Sequence, residues 1–554
     1  MKKKSKALVV ILVILLLAVL GTTAYYFLFV RNSETTSIMY LANDKPLITL
    51  TDENQEEATF PRGTEVLLSD KKKEIDSVEY SKVYIGENTY YLLDDKLVER
   101  REDCVKENEL WVYRTCSVYV DDSSSKIIGL IEKGRRIEIT GHSKVKDDGT
   151  VDRYAFADGY VLNKYLTDDE IVATNPDPSD YASSLREKTE NSYGAGSPSS
   201  LDYYPNEKPD FEDNKMPEIC KALYINKEAL YDIEEYIDFA KQTNINTFVV
   251  DIRDAHIISC AADTMKEYSP STYNNAAFSK EEFTSKIKEI KDAGFYLVAR
   301  ITVFKDKYFM DDHPEYAILD KNDNNNPFWY GNSLWPSAYC REVWQYNVEL
   351  SKEVVTDMGF NEVQFDYVRF PEQIDYYADV LDALDLQNKY EETRAEAIQR
   401  FLMYACDEIH AVGAYVSADV FGETANNYVC AYGQYLPAIS NVVDVVSPMP
   451  YPDHFNPHDF GIEEVVWEVP YRLLCAWGPM VKKQQSLIPT PAKIRTYIQG
   501  YDAIYEPHVF YDNAKIEEQI QALIDTDIYD GYIVWNSGSF IDKYWTFYDA
   551  LSKY

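Results

Sequence analysis

The run Glu362-Val363-Gln364-Phe365-Asp366-Tyr367-Val368-Arg369-Phe370-Pro371 decides the fold. Residues 362–367 read as a short strand that breaks its apolar pattern with an acid just before a loop holding an arginine and a proline. Seven other stretches beyond residue 220 have a similar character: Ala222–Ile225, Thr247–Ile252, Tyr296–Val303, Tyr415–Val420, Val443–Ser447, Arg495–Gly500 and Gly531–Trp535. Amphipathic helical patterns lie between them, at Lys280–Ala293, Arg341–Met358, Glu391–Val412 and Ala514–Thr526. Strand and helix alternating in this way is the signature of a parallel α/β sheet. Eight strands predict a (β/α)8 TIM barrel over residues 219–554, with enlarged loops. The alternative is a doubly wound open sheet. No Gly-x-Gly-x-x-Gly follows any strand, so a nucleotide-binding version lacks support.

Toward the N-terminus the character changes three times. Residues 168–218 are rich in Asp, Pro, Ser, Asn and Gly and read as a flexible linker. Residues 37–100 and 104–167 alternate short apolar runs with polar turns, as small all-β domains do. Residues 1–36 hold an uncharged run, 7–30, long enough to cross a bilayer as a helix. Lys2, Lys3, Lys4 and Lys6 precede that run and Arg31 alone closely follows it, so the positive-inside rule puts the N-terminus in the cytoplasm and the bulk of the chain outside the cell membrane. A cleaved signal peptide is the rival reading, disfavoured by the length of the run and by the poor cleavage site Gly21-Thr-Thr-Ala-Tyr-Tyr.

A formal net charge of −38 argues against nucleic acid as a partner, because such a surface repels phosphate backbones. The 47 tyrosines offer flat apolar faces with polar tips, a combination suited to sugar rings, although lineage bias in composition explains them as well. No Cys/His cluster has zinc spacing; the nearest, Asp453, His454 and His458, is interrupted by Pro457. Neither a metal nor a cofactor is therefore expected. Cys104 and Cys116 flank a strand and would pair if exposed to an oxidising compartment, and the other cysteines read as buried thiols.

In parallel barrels the chemistry sits where the strands end. An Asp at such a place is usually a helix cap or an arginine partner, and that reading covers Asp251 and Asp254. Asp366 and Asp419 are different, since each interrupts an apolar strand where its side chain faces the barrel mouth. Two carboxylates there are costly unless arginines, water or a ligand satisfy them, and Arg300 and Arg369 are the available cations. Glycosidic cleavage needs such a pair, one carboxyl ionised and one protonated.

The run 362–371 resembles the signature of a bacterial family of glycosyl hydrolase-like TIM-barrel domains. Ala299–Asp306, Val416–Gly422, Asp444–Pro452 and Val534–Asn536 are similar to that family too, in order, over about 220–545. The resemblance implies a glycoside hydrolase acting on an α-linked or cell-envelope polysaccharide. It implies Asp366 as nucleophile or charge stabiliser, the fourth strand being the usual nucleophile place in related barrels, and Asp419 as general acid/base. Glu423 and Asp502 are reserve acids. Tyr451, Trp535 and Trp329 are candidate stacking platforms, while Asp251, Arg300, Arg369, His454 and Asn536 are candidate polar contacts. Two segments depart from the family pattern: Asp254-Ala-His256 lacks its acid-rich glycine turn, and Asn332–Tyr339 lacks an Asp-Pro. Residues 104–167, with Lys133-Gly134 before a strand and the ending Gly159-Tyr160-Val161…Tyr165-Leu166, resemble bacterial SH3-like domains, and residues 37–100 are a more degenerate copy. This implies contact with cell-wall polymers, or else spacers that lift the barrel off the membrane. A non-catalytic glycan-binding barrel is the competing function. A metal-dependent deacetylase would need clustered histidines that the chain lacks.

Overall fold

The computed structural model describes residues 34–175 and 182–554. The predicted anchor, 7–30, lies outside the described residues, as do residues 176–181 of the predicted linker. Among the described residues no helix is long and apolar enough to cross a membrane. The chain forms two compact units. The first runs to Tyr113 and adds Val120–Ser123 and Gly134–Ala173; the second comprises Arg114–Tyr119, Ser124–Lys133 and Thr174–Tyr554.

The first unit is antiparallel β structure. Seven strands form one sheet in the order Glu57–Pro61, Leu47–Asp52, Asn88–Leu92, Val78–Ile85, Glu65–Ile75, Thr36–Leu41, Leu97–Val98. Its strands alternate as the period of two requires: Ile48 and Leu50 are buried while Leu47 and Thr49 are exposed. The core under this sheet is Leu41, Ile48, Leu50, Val66, Val83 and Leu92. Farther along, Glu109–Val112 pairs with Arg136–Glu138 and with Leu166–Thr167. Arg153–Phe156 pairs with Gly141–His142 and Gly159–Leu162. Buried Arg62 ties the two stretches, donating to Gly149 O at 2.6 Å and Glu107 Oε1 at 2.7 Å.

The second unit is built on eight parallel strands: β1 Cys220–Ile225, β2 Thr247–Asp254, β3 Tyr296–Thr302, β4 Glu362–Asp366, β5 Tyr415–Phe421, β6 Val445–Met449, β7 (Lys493–Ile494 and Thr496–Gln499) and β8 Gly531–Trp535. Neighbours in sequence are neighbours in the sheet, and β8 returns to β1, with Cys220 opposite Gly531. The first half of β7 pairs with β6 and the second with β8, so the ring closes there. Helices α1 Ile233–Lys241, α2 Lys280–Asp292, α3 Arg341–Thr356, α4 Arg394–His410, α5 Leu436–Ser440, α6 Pro470–Gln485 and α7 Asn513–Asp525 separate successive strands. This arrangement fits a TIM barrel. The strands are buried along nearly their whole length, as a parallel sheet covered on both faces demands. Local signals start the helices: complete capping boxes at Ser279/Glu282 and Thr393/Glu396, and Asp512 capping α7.

Two features differ from the sequence expectations. Helix α6 runs through Gly478-Pro479 and was not among the helical patterns read from the sequence; Gly478 is needed where the helix crosses Thr526, since a Cβ would lie 2.5 Å from its Oγ1. Residues 182–216 do not form the expected flexible linker. Leu185, Ala195, Leu201 and Tyr203 bury themselves in one cluster with Ala395, Val429, Tyr435 and Ala438 of the barrel, and Gln399 fixes Asp202 by accepting from its N–H at 2.9 Å and donating to its carbonyl at 2.7 Å. A few well-spaced apolar residues are enough, because the surface that receives them is already formed. Seven of the eight cysteines are buried thiols, Cys104 and Cys116 among them, and Cys475 is partly exposed.

Gly531 is a tight point of the barrel wall, at the seam of β1 and β8. It sits at φ +145°, and a Cβ would meet Cys220 O at 2.0 Å. Gly531→Ala is expected to destabilise the chain by about 3 kcal/mol, combining backbone strain with overpacking at the β1–β8 seam. Urea denaturation compared with wild type checks this.

Candidate active site

Inward-facing side chains on neighbouring strands form layers. At the base, Glu362 of β4 accepts from Arg495 of β7 at 2.7 Å and from Tyr296 of β3 at 3.1 Å. One layer up, Gln364 donates to Ser447 at 3.0 Å and accepts from Tyr497 at 2.8 Å. Another step of two residues brings Asp366 to the mouth, since side chains two apart share a face. Asp419 of β5 stands at that level, and Arg300 of β3, opposite Gln364 in the register, reaches Asp366 with its long side chain. Their positions follow from strand register, and nothing in the local sequence marks the depth.

Arg300 is the centre of the site. It is 2 % exposed and donates from Nη1 to Asp251 Oδ1 at 2.6 Å and from Nη2 to Asp366 Oδ2. Asp254 Oδ1 lies 3.8 Å from Nη2, and Asp419 Oδ2 lies 3.9 Å from Nε. Its guanidinium carbon is 5.2 Å from the Trp535 ring centre and 5.7 Å from that of Tyr224. The Tyr224 hydroxyl donates to Asp251, and the Tyr367 N–H donates to Asp366 Oδ1 at 2.6 Å.

One guanidinium cannot neutralise four carboxylates. Asp419 is fully buried, neither of its oxygens is in a hydrogen bond, and burial, reinforced by the charge on Asp366, pushes its pKa well above the carboxylate range against the opposing pull of Arg300. Asp251 is pushed up to about 6, by burial and then by Asp254, with Arg300 opposing. A group raised in the folded state stabilises the fold fully below its unfolded pKa, near 4, and loses that contribution as the pH rises through 6. The stability of wild type relative to Asp251→Asn is therefore expected to fall between pH 4 and 6, by up to about 1.4 kcal/mol per pH unit. Urea denaturation at several pH values reads that slope.

The other expected contacts divide into two groups. Tyr451 stacks on Trp535, with centroids 6.5 Å apart and planes at 29°, and makes an edge contact with His454 at 5.0 Å. Trp535 is half-buried, against Tyr224 at 4.2 Å. Asn536 is buried on the same strand end, with Nδ2 unpaired. These belong with Arg300. Arg369 does not: it is enclosed by the rings of Phe421 (4.4 Å), Tyr367 (4.8 Å) and Trp335 (5.4 Å), and its Nη2 pairs with Glu372 at 2.8 Å. It braces the loop after β4 and does not neutralise Asp366. Trp329 is 55 % exposed on a loop hairpin. Asp502 is taken up by Lys543 at 2.6 Å and by the Tyr511 N–H at 2.8 Å.

A cavity of about 970 Å³ opens over the ends of β5 and β6, lined by Phe421, Glu423, Met449, His454, Trp467 and Tyr505 among others. Its size suits a sugar unit with room around it. Glu423 accepts from the hydroxyls of Tyr428 at 3.0 Å and Tyr432 at 2.9 Å. Among the described residues no group of three or more His, Cys, Asp or Glu could hold a metal ion. Sequence reasoning undervalued Asp254 and Tyr224. Tyr224 carried a signal, as the last tyrosine of an apolar strand; Asp254 looked like a routine strand-end acid.

Comparison with curated proteins gives no match. Among solved structures the chain is similar to a hypothetical protein from Ruminiclostridium thermocellum ATCC 27405, at 27 % identity over 36 % of this chain and 97 % of that one, with a TM-score of 0.29. It is also similar to the PgaB (BpsB) glycoside hydrolase domain from Bordetella bronchiseptica, at 13 % identity over 60 % of this chain and 99 % of that one, with a TM-score of 0.44. The chitobiase of Flavobacterium johnsoniae matches at 13 % identity over 61 % of this chain and 48 % of that one, with a TM-score of 0.39. The model of the family described as "Putative glycosyl hydrolase domain" matches residues 222–540, more than half of the chain, and the chain belongs to that family.

Proposed function

We propose that the chain is a glycoside hydrolase that cleaves a polysaccharide at the mouth of its barrel, using Asp366 as nucleophile or charge-stabilising carboxylate. The observation that carries this reading is the set of aspartates gathered on one buried arginine, with Asp366 open to the mouth and Asp419 closed behind it. Asp366 is ion-paired and keeps 10 % of its side chain exposed, whereas burial favours the protonated form of Asp419. Opposite protonation states are what cleavage of an acetal requires. The complete burial of Asp419 suits a neutral partner that leaves the charge on Asp366, and leaves direct contact with the departing oxygen to a more exposed group.

The substrate lies across the aromatic floor of Tyr451 and Trp535, with a neighbouring sugar in the 970 Å³ cavity. Cell-envelope and α-linked polysaccharides are the classes to test first. The uncharged run at 7–30 and the lysines before it support a membrane tether with the barrel outside. The Gly-Tyr-Val…Tyr-Leu pattern at 159–166 supports wall-polymer contact by SH3-like domains. The test is release of reducing ends from a panel of cell-wall and storage polysaccharides by the purified full-length chain, with Asp366→Asn as control. Cleavage by wild type that Asp366→Asn loses supports the reading. Binding without cleavage would make the barrel a glycan receptor.

A further inference from the structure

Strand β2 carries a bulge that changes which of its acids face the site. It runs in register with β3 from Thr247↔Tyr296 to Asp251↔Arg300, and then slips so that Arg253 faces Ile301. In an unbroken strand Asp251 and Arg253 would share the inner face and Asp254 would point away. The extra residue reverses that parity. Arg253 goes outward, pairing with Asp306 at 2.8 Å and lying over the Tyr346 ring at 5.0 Å. Asp254 turns inward to Arg300.

A two-residue hairpin locks it there. Asp254 is opposite Ile257, Ala255 takes φ +52°, and the Ala255 N–H donates to Thr302 Oγ1 of β3 at 2.9 Å. Asp254 keeps 28 % of its side chain exposed, against 10 % for Asp366 and none for Asp419. Its Oδ1 and the Oδ2 of Asp366 approach the same Nη2, at 3.8 and 2.5 Å, so they can be no more than about 6.3 Å apart. Retaining glycosidases hold their carboxyls about 5–5.5 Å apart, and inverting ones about 6.5–9.5 Å.

We propose that Asp254 is the general acid and base of a retaining double displacement in which Asp366 is the nucleophile. This rests on the hydrolase reading above and adds its second residue and stereochemical outcome. In the first step an Asp366 oxygen bonds to the anomeric carbon as the glycosidic C–O bond breaks, and the proton of Asp254 goes to the leaving oxygen. In the second, Asp254 takes a proton from water, the water oxygen bonds to the anomeric carbon, and the bond to Asp366 breaks. One water is consumed and both carboxyls regain their starting states.

The test uses the full-length chain and the polysaccharide that wild type cleaves in the panel above. Asp254→Ala is expected to lose at least about a hundred-fold in turnover, with an unchanged melting temperature. On an activated fluoride of the same sugar, whose leaving group needs no acid, azide, which needs no general base, should restore turnover and yield a glycosyl azide with the anomeric configuration of the substrate. The first product of wild type should also keep that configuration by NMR. Asp254→Asn, nearly isosteric, covers the case in which the alanine variant fails to fold. Inverted wild-type product, or Asp254 variants that turn over like wild type while Asp366→Asn is dead, would overturn this proposal alone. Full turnover by Asp366→Asn, or no cleavage anywhere in the panel, would overturn the hydrolase reading and this proposal with it.

Discussion

Asp366→Asn is expected to lower kcat by about ten-thousand-fold or more while leaving the fold intact, because the amide keeps the shape of the side chain and loses its charge. Asp366 is the last residue of β4, its backbone is held by pairing with Thr302 of β3, and Oδ1 still has the Tyr367 N–H to accept from. Arg300 keeps its bond to Asp251 at 2.6 Å, so no buried cation is stranded. What disappears is the only negative charge placed to meet a positive anomeric centre while paired to a fixed guanidinium. A preorganised charge of this kind acts mainly on the transition state, so the loss should fall on kcat and on kcat/KM together. Reducing-end release and a thermal melt of the same preparation measure both halves of the prediction. Wild-type turnover by a correctly folded Asp366→Asn would remove this residue from the mechanism.

Arg300→Met carries the second large effect, on stability. The residue is 2 % exposed and pairs with both Asp251 and Asp366, so its removal leaves buried carboxyls without that counter-charge. Breaking a buried pair from one side costs about 3–5 kcal/mol. The sign of the pH dependence follows. Without Arg300 the folded-state pKa of Asp251 rises further above its unfolded value, so the variant should regain stability as the pH falls toward 4 and lose most of it above 6. Adding Asp251→Asn removes one stranded carboxyl and should recover part of the loss at pH 7, a coupling that a double-mutant cycle by urea denaturation measures. A variant as stable as wild type at pH 7 would mean that solvent already reaches these carboxylates.

Much of the barrel was legible because parallel strands announce themselves. Runs such as Tyr296–Thr302 are buried on both faces and must be apolar throughout, while α2 and α4 begin with capping boxes that occupy four consecutive residues. Seven strand positions were met within two residues at each end; β7 differs by carrying an extra piece before Arg495. Helix α1 and helix α6 were not anticipated. One follows β1 with only nine residues, and the other contains a Gly-Pro pair whose tolerance depends on Thr526 from another part of the chain. The packing of residues 182–216 was equally hidden, since the cluster that buries Leu185 and Tyr203 is completed by Ala395, Val429, Tyr435 and Ala438, far along the chain.

For the site, the sequence by itself determined which residue types stand at the strand ends: Asp251, Arg300, Asp366, Asp419, Tyr451 and Trp535 are all there, and all gather at one mouth because parallel strands put their C-terminal ends together. Tertiary structure decided which of them are open, which are closed and which touch. It shut Asp419 behind Arg300, took Arg369 into an aromatic cage, and brought Asp254 inward through a bulge. The physical reason is that alternation of side chains is a local property of one strand, readable two residues at a time. Register, bulges and burial are set by the neighbouring strands, and those neighbours are known only when the ring has closed.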